Sequence, residues 1–282
     1  MIEIGKYNEL KIAAKAEEGL LLSHKDGDGE KILMPKEYCP TNYKLNDELE
    51  AFVFINKAGD KIATNLESDI CLYEFGLLKV KAVNDSGAFL DWGMPKDLIV
   101  PFSEQLEKME VGEWHIVYLD IEEGKNRLYA SSRIDQWLQN DELQVEVGEQ
   151  AGALVIDESD LGYTVIINHE HRGLIYKNEI FQPLAIGDNI ICYIKKIREE
   201  NKIDVSFYPI GFKKANRSNS EVVYNAIVKN KGFLALNDKS APKAIADKFG
   251  ISKKAFKKAI GDLYKQRKIT LEKDGIKLVD KQ

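Results

Sequence analysis

The sequence is poor in the residues that build reactive or covalently stapled sites. Its 282 residues include three cysteines and four histidines. Cys39, Cys71 and Cys192 are an odd, scattered set without CxxC spacing. That excludes a disulfide frame or a thiolate zinc site and predicts reduced thiols in or near a core. No apolar run reaches the ~18 residues that a membrane-spanning helix needs. Residues 1–5 lack the basic-then-apolar layout of a signal peptide, so a cytoplasmic protein is expected. No phosphate-binding glycine loop, nucleophile elbow or zinc motif occurs. His169-Glu170-His171 would share one face of a strand, but no third ligand is evident and a polar loop is the plainer reading. The acidic pairs Glu17-Glu18, Glu122-Glu123 and Glu199-Glu200 lie at predicted turns, where solvation accounts for them. Asp26, Asp28, Glu30 and Glu37 meet some calcium-loop spacings. Lys31, however, stands where such a loop needs glycine and no helices flank it, so a hairpin turn is expected. The expectation is a protein without catalytic activity, cofactor or metal.

What is present is apolar content for several cores, 44% of the chain, and an uneven charge. The net charge of -6 divides sharply. Residues 213–282 carry 18 Lys/Arg against 7 Asp/Glu, whereas residues 1–212 carry 22 against 39. A basic tail on an acidic body points to a polyanion at the C-terminal end, with docking of tail on body as the plainer alternative.

The body repeats one pattern. Residues 79–83, 88–93, 98–104, 114–119 and 126–132 read as five short strands cut by Gly/Asp turns, the pattern of a small closed barrel. A looser copy precedes it, with strands near 10–15, 20–23, 31–35 and 49–55. A third follows at 153–157, 161–167, 172–179, 187–194 and 202–207. The tail changes pattern after a polar linker at 213–219. Ser220 caps a predicted helix to 230, and a short strand follows at 232–236. Pro242 opens a second helix that stops at Gly250, and Ser252 caps a third to about 268. Residues 269–271 and 276–279 then form a hairpin, completing the element order of a winged helix.

Copies two and three resemble the RNA-binding repeat of the largest small-subunit ribosomal protein, the S-one domain. Gly87-Ala88-Phe89-Leu90, Ser103-Glu104, Gly112-Glu113 and Ser131 carry the likeness in copy two. Gly162, Gly173-Leu174-Ile175, Glu179, Gly187-Asp188 and Ser206 carry it in copy three. The resemblance implies an OB-type barrel that lays single-stranded RNA across one face. The family's third-strand His falls on Pro35, Pro101 and Tyr176, and its Phe on Phe89 and Thr164. Copy one keeps almost none of these groups, so copies one and two are expected to be mainly structural.

The whole chain is similar to the conserved virulence factor B family of bacteria. The tail matches it through Gly232-Phe233-Leu234, Asp238-Lys239-Ser240, Pro242, 252–261 and 263–269. That resemblance implies three OB-type five-stranded barrels in tandem, then an α+β winged helix, in a multidomain, mainly β chain. The expected divisions are 1–68, 69–144, 145–212 and 213–282. It also implies RNA binding and post-transcriptional regulation, including of virulence-associated genes.

The residues name the candidate contacts. On the third helix, Phe256, Ala259, Ile260 and Leu263 share an inward face. Lys254, Lys258, Gly261, Lys265 and Lys268 share another, bordered by Lys253 and Lys257. Such lysines suit phosphates without reading sequence; Lys243, Lys248 and Arg267 are weaker candidates. In copy three, Tyr163 and Tyr176 suit base stacking, with Arg172, Lys177, Lys195, Lys196 and Arg198 as cations. Phe89 is the candidate in copy two, beside Trp92. The expected partner is single-stranded RNA. Duplex DNA bound by the winged helix, or a protein partner docked on the acidic barrels, are the alternatives.

Overall fold

The computed structural model describes residues 1–26, 29–122, 124–180, 183–209, 219–272 and 274–279. The chain divides into two compact units, residues 1–210 and 211–282. The predicted hairpin turn at 27–28 and nearly all of the predicted linker at 213–219 lie outside the described residues.

In the first unit, β1 (Lys6–Ala16), β2 (Gly19–His24), β3 (Lys31–Pro35), β4 (Glu48–Ile55) and β5 (Lys61–Thr64) close a barrel in the order β1-β2-β3-β5-β4. The next five strands are β6 (Phe75–Asn84), β7 (Gly87–Asp91), β8 (Leu98–Pro101), β9 (Trp114–Glu122) and β10 (Arg127–Ser131). They form the same ladder except that β8 and β10, the two ends, are not hydrogen-bonded to each other, so this sheet is an open counterpart of the barrel. The barrel closes again with β11 (Gln150–Glu158), β12 (Gly162–Ile167), β13 (His171–Tyr176), β14 (Asn189–Ile197) and β15 (Ile203–Ser206). The mainly β, three-copy architecture expected from the sequence is present.

The copies repeat one set of backbone devices. Each first strand has a register shift, between Ile12 and Ala14, Val80 and Ala82, and Val155 and Asp157. Such a bulge bends the strand so that it can serve both sides of a barrel. Each second strand starts on a glycine opposite the end of the third: Gly19 on Pro35, Gly87 on Pro101, Gly162 on Tyr176. A Cβ on Gly162 would lie 1.9 Å from the Ile175 carbonyl oxygen, and Gly19 and Gly87 meet the same obstacle. Each third strand then runs into a single 3-10 turn, so the strand predicted over 98–104 ends at Pro101 and Phe102–Glu104 is helical. Pro101 has no N–H to extend the ladder.

Copy one carries these devices in altered residues. Thr64, Ser131 and Ser206 are all buried at the end of the fifth strand. Each hydroxyl accepts the backbone N–H two residues on, at 3.0–3.1 Å. Asp47, Glu113 and Asp188 each accept the N–H three residues back, at 2.6–2.8 Å. The residue before each has positive φ: Asn46 in copy one, Gly112 and Gly187 in the others. Asn tolerates that backbone region better than most side chains.

The copies share cores. Phe52 and Phe54 of the first barrel join one apolar cluster with Trp92, Leu98 and Val117 of the second sheet. Phe52 and Trp92 meet edge to face at 5.7 Å. Phe75 and Tyr118 of the second sheet pack with Leu154 and Ile166 of the third barrel. Tyr118 also stacks on Trp137 at 4.6 Å. Burying a large apolar side chain is worth roughly 1.5–3 kcal/mol, so separating the copies would expose several such groups.

The second unit has α1 (Asn219–Lys229), β16 (Phe233–Leu234), α2 (Pro242–Phe249), α3 (Lys253–Lys265), β17 (Ile269–Leu271) and β18 (Ile276–Leu278). The sheet order is β16-β18-β17. Ser220 is not a cap but a buried residue inside the first turn of α1. Pro242 occupies the first turn of α2, and Gly250 ends it in the left-handed region at φ 64°. Val223, Ile227, Ile245 and Phe256 form the centre of the core.

Candidate nucleic-acid interface

The third helix of the tail presents the clearest cationic face. Ser252 caps α3, its hydroxyl accepting the Ala255 N–H at 3.2 Å. Phe256, Ala259, Ile260 and Leu263 are its buried residues, the inward face that their spacing predicts. Lys254, Lys257, Lys258 and Lys265 are exposed, and Lys253 is half-buried. The first turn carries lysines and no acid, although the helix dipole favours negative charge there. The helix ends at Lys265, short of the predicted 268, because Arg267 adopts a positive φ of 57°. Arg267 and Lys268 therefore stand in the turn after α3, where Lys268 lies over the Tyr224 ring at 5.6 Å. None of the ion pairs among the described residues involves a residue beyond 204. The described lysines of the tail are thus positive charges without carboxylate partners.

The third barrel presents a different surface. Its outer face carries Thr164 opposite Leu174 and Gly162 opposite Tyr176. Tyr163 points the other way: it pairs with the fully buried Ile175 and packs on the barrel core. The two tyrosines are therefore on opposite sides of the sheet. Tyr163 is at the edge of the core, and Tyr176 is half-buried on the outer face. A groove of about 500 Å³ crosses that face, lined among others by Asn140, Thr164, Arg172, Leu174, Arg198 and Lys202.

Most cations of this barrel are already compensated. Arg172 pairs with Asp135, and Lys195 with Glu179. Lys177 lies 3.4 Å from Glu158, and the Arg198 Nε donates to Asp204 at 3.0 Å. Lys196 is exposed and has no ion pair among the described residues. Sequence reasoning missed Asn140 and Lys202. Asn140 clamps the groove wall, accepting the Arg172 N–H and donating to the Arg172 and Asn201 carbonyls, each at 2.9 Å. It lies in the connection before β11, where nothing in the local pattern marks it.

Phe89 is half-buried on the outer face of the second sheet, while Trp92 is buried, its indole N–H donating to the Lys96 carbonyl at 2.7 Å.

The remaining polar candidates have structural roles. His169 is in a turn at φ 58°, accepting the Phe75 N–H at 3.1 Å and stacking on that ring. His171 is fully buried rather than part of a polar loop. Its Nε2 accepts the Gln144 N–H at 3.0 Å and its Nδ1–H donates to the Gln139 carbonyl at 2.7 Å. Glu30 of the weighed calcium spacing is held by Lys61 at 2.6 Å. No group of three or more metal-ligating side chains occurs among the described residues. Burial pushes the Cys71 and Cys192 thiols up to about 11, so little of either is thiolate near neutral pH. No helix among the described residues is long and apolar enough to cross a membrane.

Comparison with known proteins agrees with this geometry. A model of the CvfB-like winged helix domain matches residues 221–278, and one of the S1 domain, the S-one domain above, matches residues 4–66. The S1 match falls on the copy with the fewest motif residues, the one in which Thr64 and Asn46-Asp47 replace them. Conserved virulence factor B of Staphylococcus epidermidis (strain ATCC 12228) is 25% identical over 286 residues, covering 99% of this chain and 95% of the relative. That of Staphylococcus aureus (strain USA300) is 26% identical over 297 residues, with the same coverage. That of Staphylococcus saprophyticus is 27% identical over 248 residues, 84% of this chain and 82% of the relative. A solved multidomain protein with nucleic acid binding domains from Streptococcus pneumoniae TIGR4 aligns over 98% of both chains at 22% identity and a TM-score of 0.40. The S1 and winged-helix domain types together indicate a nucleic acid as partner.

Proposed function

We propose that this chain, kin to the conserved virulence factor B proteins along nearly its whole length, binds single-stranded RNA as a post-transcriptional regulator. The observation that carries the reading is the contrast in charge. The exposed lysines of α3 have no carboxylate partners among the described residues, whereas most cations of the third barrel are paired with one. Free cations release counterions from a phosphate chain on binding; paired ones must first break an ion pair. The lysines of α3 and the loop cations Arg267 and Lys268 supply the main grip. The outer face of the third barrel, with Tyr176 and Lys196, supplies a second and weaker contact. The relatives' name supports control of virulence-associated genes.

The helix-turn-helix of the tail favours duplex DNA as a second reading. Base reading in the major groove relies on Arg, Asn or Gln, and α3 offers mainly lysine. Competition decides between them. A labelled unstructured RNA bound to the intact chain at ~0.15 M salt is challenged with unlabelled RNA or duplex DNA of equal length. RNA is expected to displace the label at more than tenfold lower concentration. Equal or better displacement by the duplex contradicts the RNA assignment.

A further inference from the structure

The hairpin turn by which the third barrel meets the second sheet carries a histidine where glycine would be at ease. Glu170 closes the turn 167–170, its N–H donating to the Ile167 carbonyl at 3.0 Å. Both central residues have positive φ, Asn168 at 48° and His169 at 58°. A turn of that shape favours Asn followed by Gly. Asn168 fits, and its side chain accepts the Gly152 N–H at 3.1 Å. His169 occupies the position that glycine would fill without strain.

The strained residue is the one that reaches across. Its Nδ1 accepts the N–H of Phe75, 94 residues away on the second sheet, at 3.1 Å. The two rings lie parallel, 6.5 Å between centroids. Phe75 and its strand partner Tyr118 pack on Leu154 and Ile166 of the third barrel. The bond therefore ties the turn to the apolar joint between the two copies. A ring nitrogen that accepts carries no proton. Protonation makes it a donor facing another donor.

The surroundings do not hold an imidazolium. No carboxylate pairs with His169 among the described residues. Glu170, on the same hairpin, accepts from Gln139 Nε2 at 3.0 Å and lies 3.8 Å from His171 Nε2. Glu74, beside Phe75, accepts the Cys71 N–H at 3.1 Å. Burial, and then Asp120, push the Tyr118 phenol up to about 12, so it stays neutral. The β11 and β14 residues that line a notch with His169, among them Gly152, Leu154, Asn189 and Ile191, are uncharged. The Phe75 ring, at 6.5 Å, is beyond the ~6 Å reach of a cation–π contact. His169 is exposed, so a proton reaches it without unfolding, unlike the fully buried His171.

We infer that His169 is a proton-operated latch: neutral, it fixes the third barrel against the second sheet; protonated, it lets that joint loosen. A base that must be neutral in the closed joint binds its proton more tightly in the open one. The latch therefore holds above the range in which histidine titrates, ~6.5, and weakens as pH falls through it. It governs how two copies are joined and is independent of what they bind.

The test follows hydrogen exchange of the Phe75 amide in the intact chain at ~pH 7.5 and ~pH 5.5, either side of the histidine range, corrected for the intrinsic pH dependence of exchange. The amides of Val155, bonded to the Asp188 carbonyl, and Leu119, bonded to the Glu74 carbonyl, serve as references in the two copies. In the unaltered chain, Phe75 protection is expected to fall about threefold to tenfold at the lower pH, while the references keep theirs. His169→Gly removes the acceptor and suits the turn, and should show the lower protection at both pH values. Equal Phe75 protection at both values in the unaltered chain overturns the inference. A loss on acidification that persists in His169→Gly also overturns it, because another group then carries the effect. If Phe75 and the references lose protection together, the whole unit responds to acid and the latch is likewise overturned. Should His169→Gly not fold, the comparison of Phe75 with the references in the unaltered chain still decides.

Discussion

Replacing Lys254, Lys258 and Lys265 together by glutamine is expected to weaken single-stranded RNA binding by about 30-fold to 100-fold near 0.15 M salt, and to lower the slope of log affinity against log salt by about 2. The three lysines are exposed on one face of α3, and no carboxylate holds them. Each contact with a single-stranded phosphate contributes about 0.7 to the slope. The substitution leaves the buried face of Phe256, Ala259, Ile260 and Leu263 untouched. Exposed substitutions of this kind change stability by about 0.5 kcal/mol or less, so the fold should persist. Loss of binding without change in salt slope would mean that these lysines do not meet phosphate.

The largest effect on stability is expected at His171. His171→Ala should destabilise the barrel unit by roughly 3–5 kcal/mol, read as a shift of the urea midpoint. The imidazole bridges two backbone segments, accepting from Gln144 and donating to Gln139, with no solvent access. Removal takes the partner from one N–H and one carbonyl in part-buried hydrogen bonds, at up to about 1–3 kcal/mol each, and opens a cavity where the buried ring was. RNA affinity of the molecules that remain folded should not change. A midpoint shift worth less than ~0.5 kcal/mol would show that the bridge is not needed. The residue therefore anchors the 139–144 connection to the third barrel, and its presence in a His-Glu-His triplet does not signal chemistry.

Much of this architecture was legible in the residues, for identifiable reasons. Short β-branched runs between Gly and Asp turns marked the five-strand units, and the apolar period of α3 marked its inward face. Gly250 and Pro242 marked the bounds of α2. Copy one was underread because its devices are backbone devices. Thr64 accepts the same N–H as Ser131 and Ser206, and Asn46 takes the same backbone region as Gly112 and Gly187. A motif written in residue names does not register those exchanges. Tyr163 and Tyr176 have the same residue type, but strand parity sends one toward the core and the other outward.

The charged side chains were the least legible. Composition separated the acidic body from the basic tail but could not say which lysines already hold a carboxylate. Lys195 and Glu179, or Arg172 and Asp135, become partners only when distant segments meet. The 144–145 boundary expected between copies falls within a packed region, since Phe75 and Tyr118 of the second sheet share an apolar cluster with Leu154 and Ile166 of the third barrel. Dissection of the protein is better placed between the two compact units.

That division supplies the most direct test of the account. The affinity of the intact chain for an unstructured RNA at ~0.15 M salt is compared with that of residues 1–210 alone. The account predicts that the intact chain binds and that removal of the tail lowers affinity by at least tenfold. Equal binding by residues 1–210, or no binding by the intact chain, would contradict it.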